Sequence, residues 1–403
     1  MRILCVLSKF AYGKPERGEN YDYVHFVPAL ERAGHEIAFF DSGDRRSYKD
    51  FAELNMALLA RVDEFRPDIV FCVLMHYEIW LETLDIIRSN SPAVIVNWGT
   101  DDTWKFKQAS QFFARHVDLH VTTDPGTERA AKSAGLSNIF GSQWAASSET
   151  LREPLPSSEY RYDVSFVGSM YGYRAQMITA LRRKGIAVSC FGHGTENGVI
   201  DAAAIPEIYR TSRISLNFSG AGQNAGGSSG RQIKGRTFEV PGAGGFLLTE
   251  TAPDLDRYFA IDREIATFDT PDDLIAKTRY FLDRPDARDS VARAGHERTR
   301  IEHTYERRFS QVVEQLQPIM ATRAKKPWTL SSDALDGAVR QYRGRTFAAC
   351  FRPALVGALT LIFGKERGTR AARRFLYEIS WRIFGETTYR ARGLPGRLFY
   401  GES

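Results

Sequence analysis

Through the first 320 residues, short apolar runs alternate with stretches whose apolar positions recur every three to four residues. RILCVL (2–7), EIAFFD (36–41), IVFCVL (69–74), AVIVNWG (93–99) and LHVTTD (119–124) are rich in β-branched and aromatic residues and short enough to be buried strands. Between them, DYVHFVPALERAGH, YKDFAELNMALLARVDEF and WLETLDIIRSN carry helical spacing, with Gly34 and Pro67 as stops. A repeated strand–helix unit predicts a parallel sheet covered by helices on both faces. The alternation pauses in the Pro- and Ser-rich REPLPSSEYRY (152–162) and then restarts. DVSFVG (163–168), a helix from about Arg174 to Lys184, IAVSCFG (186–192), RISLNFS (213–219) and FLLTE (246–250) make a second set. Two doubly wound α/β domains are therefore expected, 1–155 and 156–320. Ligands of open α/β sheets sit at the carboxyl ends of the strands, which places a substrate in a cleft between facing domains.

Composition agrees with two cores, since 403 residues with 43% hydrophobic content exceed one ordinary domain. Charge adds a third segment. Residues 321–403 hold 16 Lys and Arg against six Asp and Glu, so the +5 of the whole chain conceals an acidic body and a basic tail. Within that tail PALVGALTLIFG is an apolar run of about a dozen residues, short of the ~20 needed to span a bilayer. Cations alternate with Phe, Leu, Trp and Tyr around it. That pattern suits a segment lying on an anionic membrane surface, or a helical subdomain packed on the body with a basic outer face. Nucleic acid is not expected, because it gains little from an aliphatic run. Cys5, Cys72, Cys190 and Cys350 are widely separated and suggest neither a zinc site nor a disulfide framework. RILCVL at the start reads as a strand rather than a secretory signal, so a cytoplasmic protein is expected, peripheral at the inner face of the membrane if the tail docks there.

The chemistry concentrates in KGRTFEVPGAGGFLLTE (234–250). Pro241 and the Gly244–Gly245 pair predict a short helix from about Thr237 to Ala243 feeding a strand. Lys234 and Arg236 would flank its N-terminus, and exposed amides, dipole and cations together would suit a diphosphate. Glu239, acceptor-only when ionised, could hold two adjacent sugar hydroxyls or simply stabilise the helix dipole. Upstream, NFSGAGQNAGGSSGRQIKG (217–235) has the length of a lid or a disordered loop. FVGSMYGYR (166–174) ends a strand in glycine and puts Arg174 at the start of a helix, where the backbone can approach a phosphate; a tight strand-to-helix turn has the same spelling.

In this order, DVSFVGS with Arg174, FG, SRISLNFS, KGRTFEVPGAGGFLLTE and HTYERR (303–308) resemble the nucleotide-binding half of group 1 glycosyltransferases of the spore-maturation, CgeB-like type. NWGTDDTWKF (97–106) resembles that family's strand followed by an Asp-Asp turn. The resemblance implies a GT-B fold, two Rossmann-like domains facing a cleft with a sugar nucleotide held mainly by the second, plus the basic helical C-terminal extension. It implies that Glu239 binds the ribose and that Arg174, with Lys234 or Arg236, neutralises the diphosphate. Gly168, Ser169, Ser219, Arg231 and Gly242 complete the expected substrate-binding set. Retaining GT-B relatives carry a second glutamate eight positions before the ribose glutamate; here Arg231 stands there, which leaves the stereochemical course open.

No cofactor beyond the donor is expected, and no metal, because no D-x-D follows a strand of the second domain. Leaving-group charge would fall to cations and amides. Asp101 and Asp102, after the AVIVNWG strand, are the candidates to take the acceptor hydroxyl's proton, with an Asp N-cap for the following helix as the plainer reading. His76, beside Glu78 in LMHYE, is the next candidate base. Tyr12, Lys14 and Arg17 line the same expected rim. The sequence thus points to sugar transfer from a nucleoside diphosphate to a glycan, lipid-linked or protein acceptor. A non-catalytic nucleotide-sugar-binding scaffold and a GT-B-like sugar-nucleotide epimerase are the alternatives.

Overall fold

The computed structural model describes residues 1–220, 230–344 and 348–401. The centre of the expected lid, 221–229, lies outside the described residues. Chain contacts define two compact units, residues 1–141 with 311–403, and residues 142–310.

The first unit is built on six parallel strands, β1 (Arg2–Leu7), β2 (Glu36–Asp41), β3 (Ile69–Cys72), β4 (Val94–Gly99), β5 (Leu119–Thr122) and β6 (Ile139–Gly141). Their order is β2-β1-β3-β4-β5-β6. β3 and β4 are buried at every position, which is why their sequences run apolar without alternating. Helices Tyr21–Arg32, Phe51–Phe65 and Leu81–Asn90 fill the connections, as the periodicity predicts. The second of these is closed at both ends by local chemistry. Asp50 accepts a hydrogen bond from Glu53 N at 2.8 Å, Glu53 accepts from Lys49 N at 2.6 Å, and Arg66 in the left-handed region precedes Pro67.

The second unit carries β7 (Tyr162–Val167), β8 (Val188–Phe191), β9 (Ser212–Asn217), β10 (Leu247–Glu250) and β11 (Ala266–Phe268), all parallel, in the order β11-β10-β9-β7-β8. The helix Arg174–Arg183 and a seven-residue helix Arg236–Gly242 stand where the sequence places them.

The division falls at Gly141/Ser142 rather than near residue 155. Residues before and at the start of the Pro/Ser stretch already pair with the second unit: Ala146 N donates to His303 O at 2.9 Å, and Arg152 N donates to Gly242 O at 3.0 Å. The basic C-terminal segment belongs to the first unit. Leu330, Leu335, Tyr342, Tyr377 and Tyr389 join its core alongside Phe51, Leu54, Leu58 and Trp80. Arg323 pins the return, donating to Ala93 O at 2.9 Å and to the buried carboxylate of Asp118 at 2.5 Å.

Candidate functional site

In the second unit β7 lies beside β9, with β8 on one flank and β10 on the other. The connections after β7 and β9 therefore leave in opposite directions, and such a switch point opens a crevice at the strands' carboxyl ends. Arg236 spans it. Its Nε donates to Asn217 Oδ1 at 3.1 Å at the end of β9, and its Nη1 donates to Val167 O at 2.7 Å at the end of β7. Gly168 follows directly, with φ 152°, and a Cβ there would stand 2.4 Å from Arg236 Nη1, so the arginine requires the glycine.

Arg174 lies next to it and is 2% exposed. Its Nη1 donates to Ser169 O at 2.9 Å and its Nη2 to the Tyr171 hydroxyl at 2.8 Å, with the guanidinium 4.0 Å over the Tyr171 ring. Its Nε is buried without a hydrogen-bond partner among the described residues. Burial, and then the repulsion of Arg236, lower the Arg174 pKa to about 10. Two guanidiniums held this close, one with an unmet donor, make a strong local demand for an anion.

Glu239 sits one turn along the Arg236–Gly242 helix and accepts from the buried Tyr209 hydroxyl. Burial, then Glu239, raise the Tyr209 pKa, so this phenol stays protonated and fixes the carboxylate's orientation. Lys234, half-buried, lies just before the helix. Three amides of the helix start are already engaged: Thr237 N donates to Lys234 O, and Phe238 N and Glu239 N donate to Gly235 O, at 2.9, 2.9 and 3.0 Å. The arginines add positive charge to the crevice.

Three of the expected substrate-binding residues have other occupations. Arg231 pairs with Glu250 at 3.2 Å and with Asp269 at 2.8 Å, so its charge is met within the fold. Ser219 is buried, its N donating to Glu250 Oε2 at 2.9 Å and its Oγ to Glu250 O at 2.6 Å. Gly242 is packed inside, where a Cβ would meet Ala146 Cβ at 2.8 Å. The sequence reading missed Asn217, Tyr209, Tyr173 and Glu250. Tyr173 donates to Glu250, and its hydroxyl accepts from Gly220 N at 3.1 Å. Asn217 and Glu250 had a readable signal, a polar residue closing an apolar strand at its carboxyl end.

In the first unit, Asp102 is 2% exposed and lies inside a polar chain. Leu74 N donates to Asn97 Oδ1 at 2.9 Å, which turns the Asn97 amide NH2 toward His120 Nδ1 at 3.2 Å. His120 Nε2 then carries the proton and donates to Asp102 at 2.8 Å, while Ser110 Oγ donates to the other oxygen at 2.5 Å. Burial alone would raise the Asp102 pKa, but His120, with hydrogen bonds from His120, Ser110 and Thr122, outweighs it and the pKa falls. Asp102 is thus a structural acceptor, poorly suited to take a proton from a substrate. Asp101 occupies the N-cap position of the short helix Asp102–Lys105, yet its side chain makes no capping bond. It is half-buried.

Beside Asp101 stands a carboxyl the sequence did not single out. Asp22, in the first turn of Tyr21–Arg32, is buried, and burial followed by the charge of Asp101 raises its pKa to about 7. His76 is a poor base here. Burial, then Lys105, Arg373 and Arg45, hold its pKa well below the usual histidine range, and Lys105 Nζ donates to its Nε2 at 3.3 Å. Burial in turn lowers Lys105 to about 8. Tyr12 is exposed, with the Arg17 guanidinium 5.0 Å over its ring. Among the described residues no group of three or more His, Cys, Asp or Glu gathers as a metal ion would need.

Comparison with known proteins adds a class to this geometry. Residues 174–314 match the family model described as glycosyl transferase-like, the segment that carries Arg174, Arg236 and Glu239. No curated protein matches the chain. Among solved structures, HepE of Anabaena in complex with UDP superposes with a TM-score of 0.54 at 12% identity, covering 79% of this chain and 100% of that one. A sucrose-phosphate synthase from Thermosynechococcus elongatus gives 0.56 at 10% identity over 80% and 100%. A glycosyltransferase from Rickettsia africae gives 0.56 at 11% over 79% and 98%. The two parallel sheets with flanking helices are a GT-B fold. This chain is thus a GT-B protein whose second unit carries a glycosyltransferase-like segment.

Proposed function

We propose that the protein is a glycosyltransferase of the spore-maturation type, moving a sugar from a nucleoside diphosphate sugar to a glycan, lipid-linked or protein acceptor without a metal ion. One observation carries this reading: the Arg174–Arg236 pair at the carboxyl ends of β7 and β9, with the buried Arg174 Nε lacking a partner among the described residues. A diphosphate meets that demand, and Glu239, held by Tyr209, receives the ribose hydroxyls. HepE, of the same fold, was solved with UDP and with UDP-glucose, which supports a nucleotide sugar as the ligand. In the reaction, the acceptor hydroxyl gives its proton to a carboxylate, for which Asp101 is the candidate. The oxygen attacks the anomeric carbon, the bond from that carbon to the diphosphate oxygen breaks, and the departing charge is met by the two arginines.

The test is nucleoside diphosphate release from a panel of sugar nucleotides, with and without acceptor glycans. Acceptor-dependent release supports transfer; binding without release would make the protein a scaffold. Glu239→Ala should weaken UDP or GDP binding by about 1–3 kcal/mol, the cost of leaving hydrogen-bonding groups unpaired. Calorimetric titration showing unchanged affinity in a folded variant removes the ribose assignment. Turnover should also survive EDTA; full loss in chelator, restored by Mg²⁺, would mean that a cation shares the diphosphate with the arginines.

A further inference from the structure

The helices Ala348–Phe363 and Lys365–Phe384 form a hairpin turned by Gly364 alone, whose φ of 80° favours glycine. They close tightly, since a Cβ on Gly368 would stand 2.5 Å from Thr360 Cα. Ala372, Tyr377 and Ser380 form the inner side of the second helix, and Tyr377 belongs to the core of the first unit. The outer side is unlike an ordinary soluble surface. Phe351, Leu361 and Ile362 are 71%, 90% and 69% exposed, and Phe363, Phe375 and Ile383 are exposed with them. Single exposed apolar residues need no explanation, but a group of large ones on one hairpin does.

Charge narrows the explanation. Lys365, Arg367, Arg370 and Arg374 are exposed on the same hairpin, and the last three share a face by their spacing of three and four. Arg382 is taken up by Glu378. Among the described side chains of the two helices no Asp or Glu is exposed. A second copy docking through this face would set cations against cations. A surface that accepts both the apolar tip and the cations has acyl chains beneath phosphates. No described helix is long and apolar enough to cross a membrane, and the 16-residue Ala348–Phe363 helix spans about 24 Å against a hydrocarbon core of ~30 Å, so a lipid-bound hairpin lies in the interface.

We propose that this hairpin docks the protein on an anionic lipid surface, with Leu361, Ile362 and Phe363 inserted at the headgroup level and Lys365, Arg367, Arg370 and Arg374 against lipid phosphates. The proposal is independent of the sugar-transfer reading. The full chain should cosediment with phosphatidylglycerol–phosphatidylcholine vesicles and much less with phosphatidylcholine alone. Raising NaCl to about 0.5 M should weaken binding without abolishing it, because apolar insertion is not screened. Leu361→Glu with Ile362→Glu should reduce partitioning at least tenfold and leave only the salt-sensitive part. Arg370→Glu with Arg374→Glu should remove the preference for the anionic lipid. Because all four side chains are exposed, melting curves should not move. Equal sedimentation of wild type and both variants overturns the proposal. So does a solution dimer that Leu361→Glu converts to monomer while vesicle binding is unchanged, an outcome that assigns the face to a second copy.

Discussion

Asp22→Asn is expected to stabilise the protein at neutral and alkaline pH and to do little near pH 4. An aspartate whose carboxyl titrates at about 7 in the fold, against 3.8 as the ordinary value, is protonated in the folded state across a window where the unfolded chain has already lost its proton. Below that window both states hold the proton and Asp22 contributes nothing. Through the window stability falls as pH rises, and above about pH 7 the full penalty of a buried charge beside Asp101 remains, on the order of 4 kcal/mol. Asparagine keeps the shape without the charge and should recover part of that, about 1–3 kcal/mol, read as a melting temperature several degrees higher at pH 8. The difference between variant and wild type should shrink steadily toward pH 4.5. A variant that melts below wild type at pH 8, or by the same difference at every pH, would show that Asp22 is not held protonated.

The second large effect separates two neighbours in sequence. Asp101→Asn should reduce kcat by ~10²–10⁴-fold while donor affinity stays nearly unchanged, the pattern expected when a proton acceptor is lost. Asp102→Asn should instead cost stability, because it removes the charge that His120, Ser110 and Thr122 are arranged around. Leaving buried hydrogen-bonding groups without their acceptor costs about 1–3 kcal/mol. Parallel melting curves and steady-state kinetics distinguish the two. If Asp101→Asn turns over normally, the base lies elsewhere, and Asp22 is the next carboxyl to replace.

Much of this architecture was legible because buried parallel strands announce themselves as uninterrupted apolar runs. Each of the nine runs that the pattern assigns as strands in residues 1–320 became one. β6 and β11 were not legible: at three residues each, they sit at the sheet edges and carry too little sequence for any period to register. Arg174, Arg236 and Glu239 could be found because glycines, proline and a strand end mark their turns locally. The fate of Asp102 could not, since it depends on His120, brought beside it only when β4 and β5 pair. Asp22 was hidden for the same reason. Its neighbours in sequence describe an ordinary helix start, and only the approach of Asp101 and the closing of the core over it give the carboxyl its unusual proton affinity. Arg231 was readable as a departure from the retaining pattern but not as the partner of Glu250 and Asp269.

The return of the chain to its first unit also sets an order of events during synthesis. Leu330, Leu335, Tyr342, Tyr377 and Tyr389 complete a core begun by residues 1–141, and the whole of 142–310 is translated in between. At ordinary elongation rates that interval is on the order of 10–30 s, long enough for the second unit to fold while the first still lacks part of its interior. The nascent chain would carry an open apolar surface toward chaperones for that time. A premature stop near residue 325 would then produce an unfinished domain rather than an enzyme trimmed of its tail, and nonsense or frameshift alleles late in the reading frame should behave as loss-of-function through degradation.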